Sequence, residues 1–201
     1  MAPWRIAAAA IALVDEQGPH ALSFRTLGDR LGVSHMTIHR RCGDLGGLLD
    51  LCADHLAAEL PGIPLDADWA EATEARFRRF YELLVAHPGL VALRGSRPWL
   101  GQQILARLVE PSLAHSIAAG MTPRHATEAY RRMYLLTLGC ASFVNHRDPK
   151  AAGSATRAGL AALDPQEFPV LAGHLQEVVP VVTDHEVYNG ALRQLIAAAQ
   201  P

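Results

Sequence analysis

The sequence is poor in cysteine, lysine and aromatic residues, and each shortage narrows the class of protein. Its three cysteines are an odd, scattered set that does not fit a disulfide framework and favours a reducing compartment. Aromatic residues make up 6% of the chain while alanine is abundant, which favours helices packed on helices over a β core. The single lysine, Lys150, stands against many arginines, which we attribute to codon usage in GC-rich DNA.

A large net charge and long apolar runs are also missing. The formal net charge is −2 at pH 7, which argues against a polycation that coats nucleic acid without specificity. Residues 6–14 are weakly hydrophobic and run directly into Asp15 and Glu16 without a clear cleavage site, which is not the pattern of a signal peptide. No apolar run approaches the length that spans a bilayer. We expect a soluble, cytoplasmic protein.

The sequence motifs of common enzyme sites are absent as well. The chain contains no GxSxG, HExxH, P-loop or GxGxxG pattern, and its ten histidines are scattered. We therefore do not expect an enzyme, and catalysis on a helical scaffold is the weakest of the alternatives.

Residues 23–60 carry the most informative pattern that is present. They indicate two short helices joined by a tight turn and followed by a longer helix. Phe24, Leu27 and Leu31 recur at i, i+3 and i+7, so they share one face of the first helix. The turn follows at Gly32, because glycine permits the backbone that a sharp turn needs.

The second helix of this pair, about residues 35–41, begins after a good N-cap, Ser34, and is too short to belong to a core. From His20 to Gly43 the chain has four arginines against one acid. A short, anchored helix with a cationic exposed face is what a reader of the DNA major groove requires. The pattern therefore predicts a helix-turn-helix DNA-binding unit.

Nearly every other segment has helical periodicity, so we predict an all-α protein with two domains. Pro61 to Pro64 separates an N-terminal DNA-binding domain (1–60) from a larger ligand-binding and dimerisation domain (65–201). The small, polar residues 147–164 are predicted to be a loop. Residues 178–182 are the only strand candidate, and Pro180 counts against it. The other helices are expected at 3–17, 44–60, 68–87, 90–94, 98–119 with a bend near Pro111, 123–146, 165–178 and 183–199.

These features together resemble the tetracycline repressor (TetR) family of bacterial transcriptional regulators. In the first 60 residues the resemblance rests on a long helix ending near Gly18, the segment LSFRTLGDRLGVSHMTIHRR, and an amphipathic helix opened by Asp44. ALRGSRPW (92–99), AAGMTPRHATEA (118–129) and LTLGCASF (136–143) match the ligand-binding domain of tetracycline repressor in order and spacing. The resemblance implies a homodimeric repressor that binds a palindromic operator and is released by a small molecule.

The resemblance also assigns roles to DNA-binding residues. Arg25 matches an arginine that reaches a base edge, and a guanidinium can bridge guanine O6 and N7. Ser23 is expected to cap its helix and to touch a phosphate. Thr37 is expected to contact a methyl group or a phosphate, and the two consecutive arginines to pin phosphates or read guanine. The recognition-helix candidates are His35, Met36, Thr37, His39, Arg40 and Arg41.

Two positions depart from the family pattern. His39 stands where many members have a tyrosine, and Leu45 stands where many have a lysine, which removes one phosphate anchor. The backbone amides at the start of the fourth helix can still face a phosphate. His35 and His39 have the spacing of a metal-binding pair, but no carboxylate or cysteine on that face completes a site, so we predict no metal there.

The larger domain is expected to hold an effector pocket and the dimer interface. Helices 123–146 and 183–199 would form the interface, with Leu135, Leu138, Ala141, Leu192, Leu195 and Ile196 as the candidate seam. Each pocket candidate has ordinary core packing or a structural role as its alternative. The ligand-binding candidates are Phe80, His87, Arg97, Trp99, Gln103, Tyr130, Met133, Tyr134, Thr137 and Asn145.

A magnesium–tetracycline complex is not the expected effector. The resemblance places Leu93 and Phe143 where tetracycline repressor has a histidine and a glutamate that help to hold magnesium, and neither side chain offers an oxygen ligand. We therefore expect no cofactor and an apolar or aromatic small-molecule effector. Control by a protein partner is the alternative that the sequence leaves open.

Overall fold

The described part of the computed structural model comprises residues 1–62, 64, 66–95, 101–143, 149–182, 184 and 186–200, and it contains helices and turns without a β-strand. The prediction of an all-α protein is confirmed. The helices are α1 (Pro3–Gln17), α2 (Phe24–Leu31), α3 (His35–Cys42), α4 (Leu45–Ala57), α5 (Trp69–Ala86), α6 (Pro88–Arg94), α7 (Gln102–Ile104), α8 (Glu110–Ala118), α9 (Pro123–Phe143), α10 (Pro149–Ala161), α11 (Pro169–Gly173), α12 (Leu175–Val182) and α13 (Glu186–Ala198), with a 3₁₀ turn at Pro19–Ala21 and a π-helical turn at Leu105–Val109.

Helices α1 to α4 form the N-terminal module around a small apolar core. Helix α1 packs against α4 and α2, and α2 packs against α3. The apolar residues of each helix recur at helical spacing, so they reach one shared interior. The fully buried members of this core are Ile6, Ala10, Val14, Leu27, Ile38 and Leu48.

Helix α5 is the centre of the larger module, and α8, α9 and α13 pack around it. The Tyr188 hydroxyl on α13 ties three of these helices together. It donates to the carbonyl oxygen of Phe77 on α5 at 3.0 Å and lies 2.9 Å from the hydroxyl oxygen of Thr137 on α9. The Tyr188 ring also stacks on Tyr81, with 3.9 Å between the ring centroids. The dense packing fixes α13 against α5 and α9.

The stretch predicted as a loop, residues 147–164, is mostly helical, because α10 covers Pro149–Ala161. The loop prediction was therefore wrong. Alanine has the highest intrinsic helix propensity, and α10 packs against α12 and α11, so tertiary contacts stabilise a helix with weak periodicity. The helix predicted at 165–178 is divided into α11 and α12, which follow a turn where the Asp164 carboxylate accepts from the Gln166 amide at 2.9 Å. The strand candidate 178–182 lies in α12, with Pro180 inside the helix.

The predicted bend near Pro111 takes the form of a π-helical turn upstream of it. Residues 102–118 run continuously through α7, the π turn Leu105–Val109 and α8, and Pro111 lies in the first turn of α8. Proline has no amide proton, and its ring clashes with the carbonyl four residues earlier in a regular helix. A widened turn before Pro111 relieves that clash. The predicted start of this helix at residue 98 lies outside the described residues.

Candidate functional site

The recognition helix α3 is held at its centre and exposed around it. Ile38 is fully buried, and Ser34 caps the helix by accepting from the Thr37 amide at 3.3 Å. Met36 exposes 51% of its surface, although an apolar side chain of this size gains free energy when buried. Thr37 is half-buried, whereas the other five predicted DNA-binding residues of α3 are exposed. These five are His35, Met36, His39, Arg40 and Arg41.

Helix α2 is placed against α3 by its own caps and by a glycine. Ser23 and Thr26 form a reciprocal capping box at the start of α2. A Cβ atom at Gly28 would lie 2.8 Å from the carbonyl oxygen of Val33, so only glycine lets the turn approach α2 this closely. Gly32 ends α2 with φ of +67°, the left-handed region that glycine adopts without strain. These contacts fix the angle between the two helices and keep Arg25 exposed.

The His39 ring packs edge-on against Phe24, with 5.6 Å between the ring centroids. His39 combines this ring contact with exposure to solvent. It holds the second turn of α3 against α2, and its ring nitrogens stay available at the surface. A tyrosine in the family pattern and a histidine here share the flat ring that this contact uses.

The arginines of the N-terminal module include one that is paired within the fold, whereas Arg5 on α1 is exposed. Arg30 is bound by Glu16 through two contacts of 2.8 and 2.7 Å, and this pairing lowers the pKa of Glu16. Within the part of the chain that the structure describes, no ion pair involves Arg25, Arg40 or Arg41. These three arginines of α2 and α3 are therefore free of described ion pairs, and their contacts with DNA remain a prediction, whereas Arg30 joins α2 to α1.

The start of α4 is a weaker phosphate site than the sequence indicated. The Asp44 carboxylate accepts from the Gly47 amide at 2.8 Å, which uses one of the free amides and brings a negative charge. Leu45 exposes 43% of its surface at the position where the family pattern has lysine. A phosphate contact at this end of α4 remains a prediction, with fewer donors than expected.

Five of the predicted effector-binding residues come together between α5 and α9. Tyr134 stacks on Phe80 with 6.0 Å between centroids, and Tyr130 lies 5.7 Å from Tyr134 and 5.9 Å from Phe77. We call Phe77, Phe80, Tyr130 and Tyr134 the aromatic cluster. Met133 and Thr137 are buried beside it on α9. The sequence analysis did not include Phe77, although its position three residues before Phe80 indicates an inward face.

Thr137 and the buried tyrosines are neutral parts of this interior. The Thr137 hydroxyl donates to the Met133 carbonyl oxygen at 2.8 Å and contacts the Tyr188 hydroxyl, so its bonding capacity is used within the fold. Burial raises the pKa of Tyr130 and Tyr188, and it raises the pKa of Tyr81 to about 12. These phenols therefore stay uncharged at neutral pH.

His87 and Gln103 lie at the contact between the two modules, apart from the aromatic cluster. His87 Nδ1 is 2.7 Å from Oδ2 of Asp15 on α1, and the Gln103 backbone amide donates to Oδ1 of Asp54 on α4 at 2.7 Å. Their role as pocket residues stays a prediction that these contacts do not favour. The predicted pocket residues Arg97, Trp99 and Asn145 lie outside the described residues.

A buried arginine also joins the modules at this place. Arg94 on α6 is almost fully buried and donates to Oδ1 of Asp50 on α4 at 2.7 Å. We call the contacts of Asp15, Asp50 and Asp54 with α5 to α7 the domain junction. These acids were not among the predicted functional residues, although Asp50 and Asp54 are spaced i, i+4 and so share one face of α4.

Metal-binding groups and membrane-spanning helices are two further kinds of feature to consider in the described residues. No three histidine, cysteine, aspartate or glutamate side chains among them are grouped so that they could hold a metal ion. No helix in the described part of the chain is both long enough and apolar enough to cross a membrane. Arg76 on α5, which the sequence analysis missed, is buried, and neither of its terminal nitrogens has a hydrogen-bond partner in the fold.

Comparison with known sequences agrees with this architecture. Residues 61–198 match the family model described as tetracyclin repressor-like, C-terminal domain. HTH-type transcriptional repressor DrrR1 of Streptomyces coeruleorubidus is 35% identical over 99 residues, which are 48% of this chain and 37% of that protein. An HTH-type transcriptional regulator of Saccharopolyspora erythraea is 28% identical over 174 residues, or 85% of this chain and 73% of the regulator.

Solved structures share the fold over the whole chain. Apo ActR from Streptomyces coelicolor superposes with a TM-score of 0.79 at 22% identity, covering 100% of this chain and 95% of ActR. ActR in complex with actinorhodin gives a TM-score of 0.79 at 22% identity, with 99% of this chain and 96% of ActR covered. At this identity the likeness establishes the fold and leaves the ligand open.

Proposed function

We propose, from the premise that the chain belongs to the tetracycline repressor-like family of helix-turn-helix transcriptional regulators, that it is a ligand-released repressor. In this proposal a homodimer binds a palindromic operator, and an apolar or aromatic small molecule in the larger module releases it. The observation that carries the proposal is the surface of α3, where polar and cationic side chains surround one buried anchor, Ile38.

DNA recognition is assigned to α3 and to the start of α2. Arg25 and Arg40 are exposed, carry no described ion pair, and belong to helices whose caps and glycine turn fix their mutual angle. Arginine forms paired hydrogen bonds to guanine O6 and N7, which distinguish that base from the others. The remaining exposed residues of α3 supply phosphate contacts that position the helix in the groove.

A dimer is required because one eight-residue helix contacts few base pairs. Two recognition helices about 34–36 Å apart reach successive major grooves on one face of the duplex. Leu135 on α9 and Val187 on α13 expose 52% and 51% of their surfaces, and they support a pairing surface built from these two helices. The predicted seam must change, because Ala141, Leu192 and Ile196 are buried inside the protomer and cannot face a partner.

An aromatic effector is supported by the aromatic cluster between α5 and α9. Rings prefer offset or edge-to-face neighbours, and a planar ligand can take the place of such a neighbour. ActR has been crystallised with actinorhodin and with (S)-DNPA. We assign the same broad class, a small organic ligand, to this chain.

Release of DNA is assigned to the domain junction. A ligand that binds beside α5 and shifts it would strain the contact of His87 with Asp15 and the contact of Arg94 with Asp50. Because Asp50 and Asp54 lie on α4, movement of α6 and α7 would turn α4. The proposed DNA-binding helices α2 and α3 would turn with it. A ligand shifts such an equilibrium only by the difference in its affinity for the two arrangements.

The proposal is tested by selecting bound DNA from a random pool with the purified protein. We expect enrichment of a palindrome whose half-sites lie about one helical turn apart, or a multiple of it. Arg25→Ala and Arg40→Ala should each weaken binding to the selected site by about 1–3 kcal/mol, since each removes a base or phosphate contact. Arg107→Ala, which changes an exposed arginine on the π turn away from α2, α3, α9 and α13 in the chain, is the matched control and should bind like the unchanged protein.

Two outcomes of this experiment would contradict DNA recognition by α2 and α3. If no sequence is enriched at moderate salt, or if the three variants bind alike, DNA reading by α2 and α3 is wrong.

A further inference from the structure

Arg76 on α5 is a buried arginine of the larger module. It exposes 2% of its surface, and among the described residues neither Nη1 nor Nη2 has a hydrogen-bond acceptor. Two of the three acids on α5 pair with other arginines, and the third, Glu71, is exposed in the first turn of the helix. Glu74 contacts Arg78 and Arg193, and Glu82 contacts Arg79. The fold therefore leaves the donors of Arg76 for something else.

Burying the charge of Arg76 without a partner costs folding free energy. Removing a charge from water carries a large free-energy penalty unless the charge is paired and hydrogen-bonded. Burial lowers the pKa of Arg76 from its ordinary value, because desolvation disfavours the charged form, yet arginine does not lose its proton at neutral pH. The comparably buried Arg94 shows the usual solution, since Asp50 pairs with it at 2.7 Å.

The surroundings of Arg76 on α5 combine this charge with aromatic surface. Phe80 lies one turn further along the same face and stacks on Tyr134. Thr73 lies one turn earlier and is also buried. The nearby Tyr130 is a neutral phenol whose pKa is raised by burial, so it does not supply a counter-charge. An aromatic ligand beside these rings would bring its polar substituents within the region of an unpaired guanidinium.

We propose that Arg76 is the recognition group for an acidic oxygen on an aromatic effector, such as a carboxylate, a sulfonate or an ionised phenol. Arginine suits this role because its planar group presents parallel N–H donors that bind two oxygens of one acid. The inference rests on the proposed effector-sensing function and narrows it. The effector is an aromatic acid, and a neutral hydrocarbon of the same shape binds less tightly.

Two fluorescent probes with one ring system test this directly. 8-Anilino-1-naphthalenesulfonate carries an anionic group, and N-phenyl-1-naphthylamine is the same frame without it. The unchanged protein should bind the sulfonate at least about tenfold more tightly, because charge-assisted hydrogen bonds are among the strong ones. R76M should abolish this preference and bind both probes alike. R78M, which alters a neighbouring exposed arginine, should retain it.

The melting temperature of the unliganded protein distinguishes ligand recognition by Arg76 from a structural role of Arg76. R76M replaces an unpaired buried charge by an apolar side chain of similar length, so its melting temperature should equal or exceed that of the unchanged protein. A lower melting temperature for R76M would mean that the fold itself satisfies Arg76 and would overturn the inference. Equal binding of the two probes by the unchanged protein, or binding of neither, would overturn it as well.

DNA binding separates this inference from the wider proposal. Without probe, R76M should bind the selected operator as tightly as the unchanged protein does, because Arg76 lies on α5 of the other module and not on α2 or α3. If no operator is found but the sulfonate preference depends on Arg76, the repressor function fails and the acid-binding site stands. If the operator binds and the preference is absent, only the acid-binding site fails.

Discussion

Two glycines, on α2 and on α4, determine how closely these helices approach α3 and the turn before it. At Gly47 a Cβ atom would overlap the carbonyl oxygen of Cys42, the last residue of α3. At Gly28 the obstacle is the Val33 carbonyl oxygen. Both obstacles are backbone atoms, which cannot move aside as a flexible side chain can. The angle between α3 and its neighbours thus depends on two missing side chains.

Gly47→Ala should therefore destabilise the protein by about 1–3 kcal/mol, the usual cost of inserting a methyl group into a filled space. Gly159→Ala is the matched control, because nothing lies within 4 Å of a Cβ there and the position is helical. That change should stabilise by about 0.5–1 kcal/mol, since alanine loses less conformational entropy than glycine. Urea unfolding of both variants checks the pair, and equal effects would contradict the packing argument.

Pairs of helices are joined by charged contacts whose strength depends on pH. Arg30 on α2 holds Glu16 on α1 through two hydrogen bonds. The hydrogen bonds from Arg30 are the main cause of the lowered pKa of Glu16, and the Coulomb attraction adds to them. A carboxylate whose pKa is lower in the folded state contributes stability above its unfolded pKa and loses it as the pH falls through the folded value.

Glu16→Gln should lower the free energy of unfolding at neutral pH, and the difference from the unchanged protein should disappear progressively below the ordinary pKa of 4.5. Added salt should reduce the difference, because both side chains are at the surface. Glu167→Gln, at an exposed turn, is the control and should show no such pH dependence. Chemical unfolding over a pH series measures it, and a pH-independent difference for Glu16→Gln would refute this account.

At the scale of the whole molecule, the two modules meet at the domain junction, and two protomers are proposed to pair through α9 and α13. The junction is polar: carboxylates of α1 and α4 meet a histidine, a buried arginine and backbone amides. Such contacts depend on direction, so a small displacement of α6 or α7 changes their energy more than it would change an apolar contact. This property suits a switch.

Leu135→Glu should convert the proposed dimer into monomers and reduce operator binding sharply, because a charge on an apolar pairing surface must be desolvated without a partner. Ile117→Glu is the control, since Ile117 exposes 45% of its surface on α8, which is not one of the two helices of the proposed interface. Analytical ultracentrifugation gives the mass of each species. A dimeric Leu135→Glu protein would place the pairing surface elsewhere.

The sequence by itself determined the helical class, the bounds of α1 to α5 within a few residues, and the exposed surface of the recognition helix. These features depend on interactions between neighbours in the chain: apolar spacing of three and four residues, N-caps such as Ser34 and Asp44, and glycine at the helix ends. The family resemblance follows from the same local patterns. The exposure of most of the candidate DNA-binding residues was predictable because a short helix leaves little choice of exposed face.

Only the tertiary structure decided which polar residues are buried and which partners they meet. Asp15 and His87 are 72 positions apart, and no local pattern indicates that contact. The same holds for Arg76, which sequence alone would assign to solvent, and for Ala141, Leu192 and Ile196, which fill the protomer interior that the seam prediction gave to a partner. Helix α10 likewise depends on α11 and α12, since weak periodicity becomes a helix only where neighbouring helices cover it.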